Sequence, residues 1–152
     1  LTKLKNRHCL SIDKESFRDR SLFLMMVDID NFKLFNDRFG HYAGDSVLEQ
    51  FSNIFRTNFF VQNVYRMGGE EFLVAVCDCD EEIMLEKIKR CMDDMCKISF
   101  EGEQLEVTFS GGYLYKPEQL EVNFAELLRK ADDALYKAKR NGKNCIECTE
   151  LS

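Results

Sequence analysis

The chain combines short, continuously apolar runs with longer segments in which apolar residues recur every three or four positions. The continuous runs, Leu22–Val27 and Phe72–Val76, have the length and composition of strands buried on both faces. Alternation over Leu105–Phe109 predicts another strand, and Gly111-Gly112 just after it predicts a bulge or a close backbone approach. The periodic segments predict helices, because such spacing places apolar side chains on one helical face. These segments are residues 31–39, 44–58, 80–97 and 123–140.

A β-hairpin is predicted over Val61–Val76. Two strand-favouring runs flank Gly68-Gly69, and glycine tolerates the positive φ angles of a tight reversal. The same glycines leave a backbone that a flat or charged ligand can approach closely. Glu70 and Glu71 follow directly, and two carboxylates beside such a backbone can bind a hard cation through oxygen. This hairpin is therefore the first candidate site.

The first apolar strand also ends in acids, Asp28 and Asp30. Acids at the end of a buried strand cost free energy unless they are paired or functional, and their spacing places both on one face of the strand. One acid could instead cap the helix that follows. We expect Asp30 or Asn31 to be that cap and Asp28 to be a metal ligand.

Two charged residues near predicted helix starts each have two interpretations. Lys33 lies in the first turn of the helix that begins near Asn31, where free N–H groups and an ammonium suit a phosphate. By itself Lys33 would be an ordinary solvated side chain. Asp45, near the next predicted helix start at Gly44-Asp45, either complements the helix dipole or accepts hydrogen bonds from the edge of a guanine. Complementation of the dipole also explains most of four basic residues near the end of the last helix: Lys137, Lys139, Arg140 and Lys143.

Composition limits the classes of function. The 152 residues carry a net charge of −6 without a basic cluster, which argues against binding of duplex nucleic acid. No apolar run of about 20 residues predicts a transmembrane helix, so we expect no membrane contact within the chain, and no secretory signal pattern is visible. Seven cysteines cannot all pair, and we expect reduced thiols in the cytoplasm.

Several motifs together resemble those of the GGDEF domain family, the diguanylate cyclases, in its GGEEF variant. The resemblance covers essentially the whole chain and implies a single α/β domain of the α+β sandwich type. Its mostly antiparallel central sheet would be flanked by helices, as in nucleotide cyclases and polymerase palm domains. The motifs, in order, are LTKLKNR (1–7), MMVDIDNFKLFNDRFGHYAGDSVL (25–48), YRMGGEEF (65–72), VTFSGGYL (107–114) and RKADDALYKAKRNGKN (129–144).

The resemblance implies a reaction in which two GTP molecules form cyclic di-GMP and two pyrophosphates. A homodimer would present one GTP from each subunit, with two Mg²⁺ or Mn²⁺ ions in each active site. Asp28, the Ile29 carbonyl, Glu70 and Glu71 would be the metal ligands. Glu70 would also assist deprotonation of the attacking 3′-hydroxyl, so the implied catalytic residues are Glu70, Asp28 and Lys33.

The resemblance also implies which residues bind the nucleotide. The backbone N–H groups of Asn31, Phe32 and Lys33 would hold the terminal phosphates, together with the Lys33 side chain. Lys139 and Lys143 would reach the same phosphates. The base would be recognised by the side chains of Asn36 and Asp45. Gly68 and Gly69 would lie close to the nucleotide.

Two departures from the family pattern lead to further expectations. Lys143 stands where arginine is usual, which keeps the charge and loses the planar fork. Phe59–Asn63 lacks the RxxD motif that binds inhibitory product in many relatives, so we expect no product inhibition there. The chain is expected to be the catalytic part of a longer cytoplasmic signalling protein, or of a membrane-anchored sensor, with an upstream sensory or receiver domain.

Two other functions remain open at this point. One is a non-catalytic regulatory module that binds GTP or cyclic di-GMP. The other is an interaction domain with an acidic hairpin, which would require Asp28 and Glu70 to lie too far apart to share an ion. The acids expected for catalysis are all present, which favours the cyclase.

Overall fold

The fold is built on a six-stranded sheet. The computed structural model describes residues 1–151. The strands of the sheet are β1 (Lys5–Asn6), β2 (Leu22–Ile29), β3 (Val64–Arg66), β4 (Glu71–Cys77), β7 (Phe109–Lys116) and β8 (Ile146–Cys148), while β5 (Ser99–Phe100) and β6 (Glu103–Gln104) form a separate small hairpin. The four inner strands, in the order β3, β4, β2 and β7, pair antiparallel, whereas the outer strands β1 and β8 pair parallel to β3 and β7. The predicted mostly antiparallel α/β fold is confirmed.

Five α-helices accompany the sheet, and one prediction of a helix start was wrong. The third helix begins at His41 and not near Gly44, because Gly40 (φ 88°) ends the preceding helix and the next turn starts at once. His41 and Tyr42 are exposed, so no apolar signal marked that turn. The helices are α1 (Arg7–Asp13), α2 (Phe32–Phe39), α3 (His41–Phe59), α4 (Glu81–Asp94) and α5 (Phe124–Arg140).

The two faces of the sheet bury two separate apolar clusters. Alternate residues of β2 point to opposite sides, as the period of a strand requires. Phe23, Met25 and Val27 join the cluster that includes Phe51 and Phe55 of α3. Leu22, Leu24 and Met26 of β2 join the cluster on the opposite face. That cluster includes residues of α1 and α5, namely Leu10, Leu127, Ala131 and Leu135. The sheet is thus the middle of three layers, and β2 is completely covered until its last residues.

Helix α5 lies unusually close to strand β7. A Cβ atom at Gly112 would stand 2.1 Å from the Leu135 nitrogen and 2.4 Å from the Ala131 oxygen. Of the two alternatives for Gly111-Gly112, the close backbone approach is therefore the one found, and β7 runs without interruption. This contact brings the C-terminal end of α5 over the end of β2.

Two further observations concern the membrane and the cysteines. No helix among residues 1–151 combines the length and the hydropathy needed to cross a membrane. All seven cysteines are unpaired in the structure, and their redox state stays a prediction.

Candidate active site

The predicted acidic residues meet where β2 leaves the sheet. Asp28 lies in register between Glu71 of β4 and Ser110 of β7. Residues that face each other across antiparallel strands have Cβ atoms about 4.5–5.5 Å apart. The Ile29 N–H donates to the Glu70 carbonyl at 3.3 Å, which places Glu70 beside the next residue of β2. The acids of the strand and those of the hairpin therefore share one end of the sheet.

The hairpin turn is held by hydrogen bonds that involve the backbone of its glycines and of Glu71 and the side chain of Arg66. The N–H groups of Met67 and Gly68 donate to the Glu71 carbonyl. The Arg66 guanidinium donates to the Gly68 carbonyl at 3.1 Å and the Gly69 carbonyl at 2.8 Å. Each of these bonds ties one strand of the hairpin to its turn.

The expected role of the two glycines in the turn was wrong. Neither Gly68 nor Gly69 has a positive φ angle. A Cβ atom at Gly69 would meet nothing within 4 Å, and one at Gly68 would meet only the Glu71 side chain. The turn therefore forms without a conformation that only glycine adopts easily, and what the glycines provide is an open surface.

Asp28 lies in a charged and partly dehydrated position. Its side chain is 22% exposed. Burial raises the pKa of Asp28 to about 6; Lys139 opposes this rise, while Glu70, Glu71 and Asp30 add to it. The Lys139 ammonium lies 3.6 Å from the Asp28 carboxylate. Burial is the main cause of the raised pKa, and the repulsion from the three neighbouring acids adds to it, so a bound cation would relieve both costs.

Asp30 is neither the helix cap nor an exposed ligand. Its carboxylate is 2% exposed and accepts four hydrogen bonds, from Thr108, Ser110, Lys139 and the Asn144 N–H. Burial alone would raise the pKa of Asp30, but these hydrogen bonds outweigh it and hold the pKa below its usual range. The alternative that Asp30 caps the helix was wrong.

Asn31 occupies the cap position of α2 in a left-handed conformation (φ 56°) and makes no capping bond with its side chain. That side chain instead accepts a hydrogen bond of 2.6 Å from the Lys143 ammonium. Lys33 is exposed in the first turn of α2, as predicted. The first N–H groups of a helix have no partner within it. This end of α2 therefore combines unpaired donors with the Lys143 ammonium at Asn31 and an exposed Lys33 in the first turn.

Asn36 contains the one buried side-chain nitrogen or oxygen without a hydrogen-bond partner among residues 1–151. Its amide oxygen lies against Gly44, where a Cβ atom would stand only 1.8 Å away. Asp45 is exposed next to Gly44 and lies beyond the first turn of α3. A helix dipole acts mainly within the first turn, so dipole complementation no longer explains Asp45.

The donor set has the chemistry of a Mg²⁺ or Mn²⁺ site, because it offers carboxylate and carbonyl oxygens. Across the described part of the chain, no three or more His, Cys, Asp or Glu side chains are already arranged to hold a metal ion. Glu71 is exposed and Ile29 is buried. The metal role of Asp28, Ile29, Glu70 and Glu71 therefore stays a prediction, supported by the crowding of the acids.

Sequence reasoning missed the residues that hold this site together. Arg66, Thr108 and Ser110 carry no pattern of their own. Arg66 acts on the backbone of the neighbouring turn, whereas Thr108 and Ser110 act on Asp30, 78 and 80 positions away. The pairing of Lys139 with Asp30 joins residues 109 positions apart. The one available signal for Asp30 was its burial cost at the end of an apolar strand.

Comparison with known proteins identifies the family. Residues 1–145 match the family model described as diguanylate cyclase, GGDEF domain. The chain belongs to the GGDEF domain family. The resemblance stated from the motifs is confirmed, and so is its fold. The family's enzymes are diguanylate cyclases, which are nucleotidyltransferases and are generally metal-dependent.

Relatives of this GGDEF domain carry the name of the activity. The chain is 33% identical to diguanylate cyclase A of Treponema denticola over 91% of its own length and 38% of that protein. It is 37% identical to diguanylate cyclase DgcP of Pseudomonas aeruginosa over 97% of its own length and 23% of that protein. The chain thus spans well under two thirds of these relatives.

Solved GGDEF structures share the fold over the whole chain. The active GGEEF domain of a diguanylate cyclase from Vibrio cholerae is 28% identical, with a TM-score of 0.80 over 99% of this chain and 100% of that chain. The GGDEF domain of YfiN from Pseudomonas aeruginosa is 29% identical, with a TM-score of 0.84 over 100% of both chains. A further structure shows diguanylate cyclase SiaD with its activator SiaC.

Proposed function

We propose that this chain is the catalytic domain of a longer signalling protein and condenses two GTP molecules into cyclic di-GMP. The observation that carries the proposal is the meeting of β2 and β4 with the end of α5 and the start of α2 at one end of the sheet. Asp28 faces Glu71, Lys139 approaches Asp28, and Lys143 bonds to Asn31 at the start of α2. Acids, ammonium groups and free N–H donors are together what a metal-bound nucleoside triphosphate needs.

Guanine recognition is assigned to Asn36 and Asp45. The unpartnered amide oxygen of Asn36 is an acceptor for an N–H donor of the base. Leaving a buried acceptor unpaired costs free energy, and a bound guanine would recover it. Asp45 offers a carboxylate to the N1–H and N2–H₂ donors, which adenine lacks. The pair therefore favours GTP over ATP.

The phosphates are assigned to the start of α2. Free N–H groups of Asn31, Phe32 and Lys33 would bind the terminal phosphates. The ammonium groups of Lys33, Lys139 and Lys143 would add positive charge, and the open backbone at Gly68 and Gly69 admits the nucleotide. This arrangement binds the leaving pyrophosphate and fixes the α-phosphorus for attack in line.

The chemical step uses two subunits, each with one GTP. The 3′-hydroxyl oxygen of one GTP bonds to the α-phosphorus of the other, the bond to the β-phosphate oxygen breaks, and pyrophosphate leaves; a second such step closes the ring. Glu70 takes the hydroxyl proton. Two Mg²⁺ or Mn²⁺ ions held by Asp28, the Ile29 carbonyl, Glu70 and Glu71 would neutralise charge on the phosphates when bound.

The test is product analysis by chromatography after incubation with GTP and Mg²⁺ or Mn²⁺, using the chain fused at Leu1 to a constitutive coiled-coil dimer. Cyclic di-GMP is expected from the wild type and from Glu118→Gln, an exposed control far from the site, and not from Glu70→Gln. Metal-dependent binding of GTP without product in the fused dimer would favour the regulatory module instead. Absence of GTP binding would overturn both.

A further inference from the structure

We propose that Asp30 is a positioning residue that orients Lys139 and Lys143 toward the terminal phosphates of GTP without touching the nucleotide itself. The inference rests on the proposed function and deepens it. Asp28 and Asp30 have the same chemistry and stand two residues apart, but their surroundings give them different tasks. Asp28 faces the hairpin acids, whereas Asp30 is enclosed by protein donors.

The carboxylate of Asp30 is already saturated. One oxygen accepts from Ser110 at 2.7 Å and from Lys139 at 2.9 Å. The other accepts from Thr108 at 2.7 Å and from the Asn144 N–H at 2.9 Å. A carboxylate that is 2% exposed and has two donors on each oxygen has no lone pair left for a nucleotide. Its effect on a ligand must pass through its partners.

The first partner is Lys139. Its ammonium lies 2.9 Å from Asp30 and 3.6 Å from Asp28, so two carboxylates compete for it. The shorter, charge-assisted bond to Asp30 keeps Lys139 beside the site, while its ion pair with Asp28 is longer and is not a hydrogen bond. Loss of the Asp30 charge would let Lys139 pair with Asp28 and turn away from the phosphates.

The second partner is the loop that follows α5. Lys143 and Asn144 both adopt positive φ angles, 65° and 47°, which residues with side chains seldom do. Residues keep such a strained backbone conformation only where contacts with their surroundings hold it in place. The bond from the Asn144 N–H to Asp30 is one such contact, and the Lys143 N–H donation to the Ala138 carbonyl is another. Together they direct the Lys143 ammonium to Asn31.

The experiment measures binding of 3′-deoxy-GTP and of GMP in Mg²⁺, since neither ligand can start the reaction and they differ in their terminal phosphates. Asp30→Asn is expected to weaken 3′-deoxy-GTP about tenfold and to change GMP less than twofold. Equal weakening of both ligands would show that Asp30 only supports the fold. An unchanged affinity for 3′-deoxy-GTP would overturn the proposal outright.

Milder variants keep the test decisive if Asp30→Asn does not fold. Thr108→Val removes one donor to Asp30, whereas Thr108→Ser keeps it and should retain the wild-type preference for the triphosphate. We expect a selective loss of affinity for 3′-deoxy-GTP, relative to GMP, from Thr108→Val and not from Thr108→Ser. Equal affinities of the two variants for 3′-deoxy-GTP would count against the proposal. A wild-type chain that binds neither nucleotide would instead contradict the proposed function, so the two failures are distinguishable.

Discussion

The amide oxygen of Asn36 occupies the space that a side chain at position 44 would need, 1.8 Å from where the Cβ atom of that residue would stand. Gly44 is buried within α3, where glycine is otherwise unfavourable. The helix therefore accepts a poor helix former at the point where it contacts the unpartnered amide. This relationship links the choice of residue in one helix to a binding group in another.

Gly44→Ala is expected to weaken guanine binding without harming the fold. The new methyl group displaces the end of the Asn36 side chain, while alanine favours the helix by roughly 0.5–1 kcal/mol. Affinity for GTP should fall on the order of tenfold, and the melting temperature should stay equal or rise. Calorimetric titration and thermal unfolding measure the two effects, with Glu49→Ala on the same helix as a control. A large drop in melting temperature would contradict this account.

Gly69→Ala is expected to spare stability and reduce nucleotide binding. A Cβ atom there meets nothing within 4 Å, and the residue has no positive φ angle. The free energy of unfolding should change by less than about 0.5 kcal/mol, as for a surface substitution. Affinity for GTP should fall severalfold if the nucleotide approaches this backbone. Retention of full affinity would place the nucleotide elsewhere.

Gly112→Ala, unlike Gly69→Ala, is expected to destabilise the fold. Its Cβ atom would overlap the backbone of α5, which cannot swing aside as a side chain can. We expect a loss of at least about 2 kcal/mol in the free energy of unfolding, measured by chemical denaturation. Comparison with Gly69→Ala separates a glycine needed for packing from one that leaves room for a ligand. Similar stability of the two variants would refute the distinction.

Asp28→Asn is expected to stabilise the ligand-free protein at neutral pH. Burial raises the Asp28 pKa from 3.8 to about 6 in the folded protein, so ionisation of Asp28 opposes folding. The wild type should lose stability relative to the variant as the pH rises from about 4 to 6. We expect a difference of about 1–2 kcal/mol above pH 7, after allowance for solvent screening, and none below pH 4.

Denaturant titrations at several pH values, without divalent cations, measure this difference. Asp132→Asn, an exposed change on α5, serves as the control and should show no such dependence. An Asp28→Asn variant that is less stable than the wild type at pH 7 would mean that the attraction of Lys139 exceeds the cost of burial. The crowding of the acids would then no longer support a cation site.

Much of the fold followed from the sequence because its signals are local. Continuous apolar runs identified β2 and β4, and spacing identified the amphipathic helices. The carboxylates at the end of β2 and after the hairpin were found for the same reason, since a charge beside a buried strand is conspicuous in one dimension. Helix starts were less well defined, because the first two residues of α3, His41 and Tyr42, are exposed and do not continue the apolar face.

Only the tertiary structure distinguished residues with the same local pattern. Asp28 and Asp30 share a chemistry, and their spacing predicted one strand face for both, but β2 ends at Ile29. Asp28 therefore lies beside the hairpin, whereas Asp30 is enclosed by four donors. Gly69 and Gly112 both follow another glycine, yet Gly69 faces open space whereas Gly112 allows the backbone of α5 to pack closely against β7. The sequence by itself determined which elements form and which charges are costly. Which partners meet those charges depended on strand order and helix packing, because these bring together residues about a hundred positions apart.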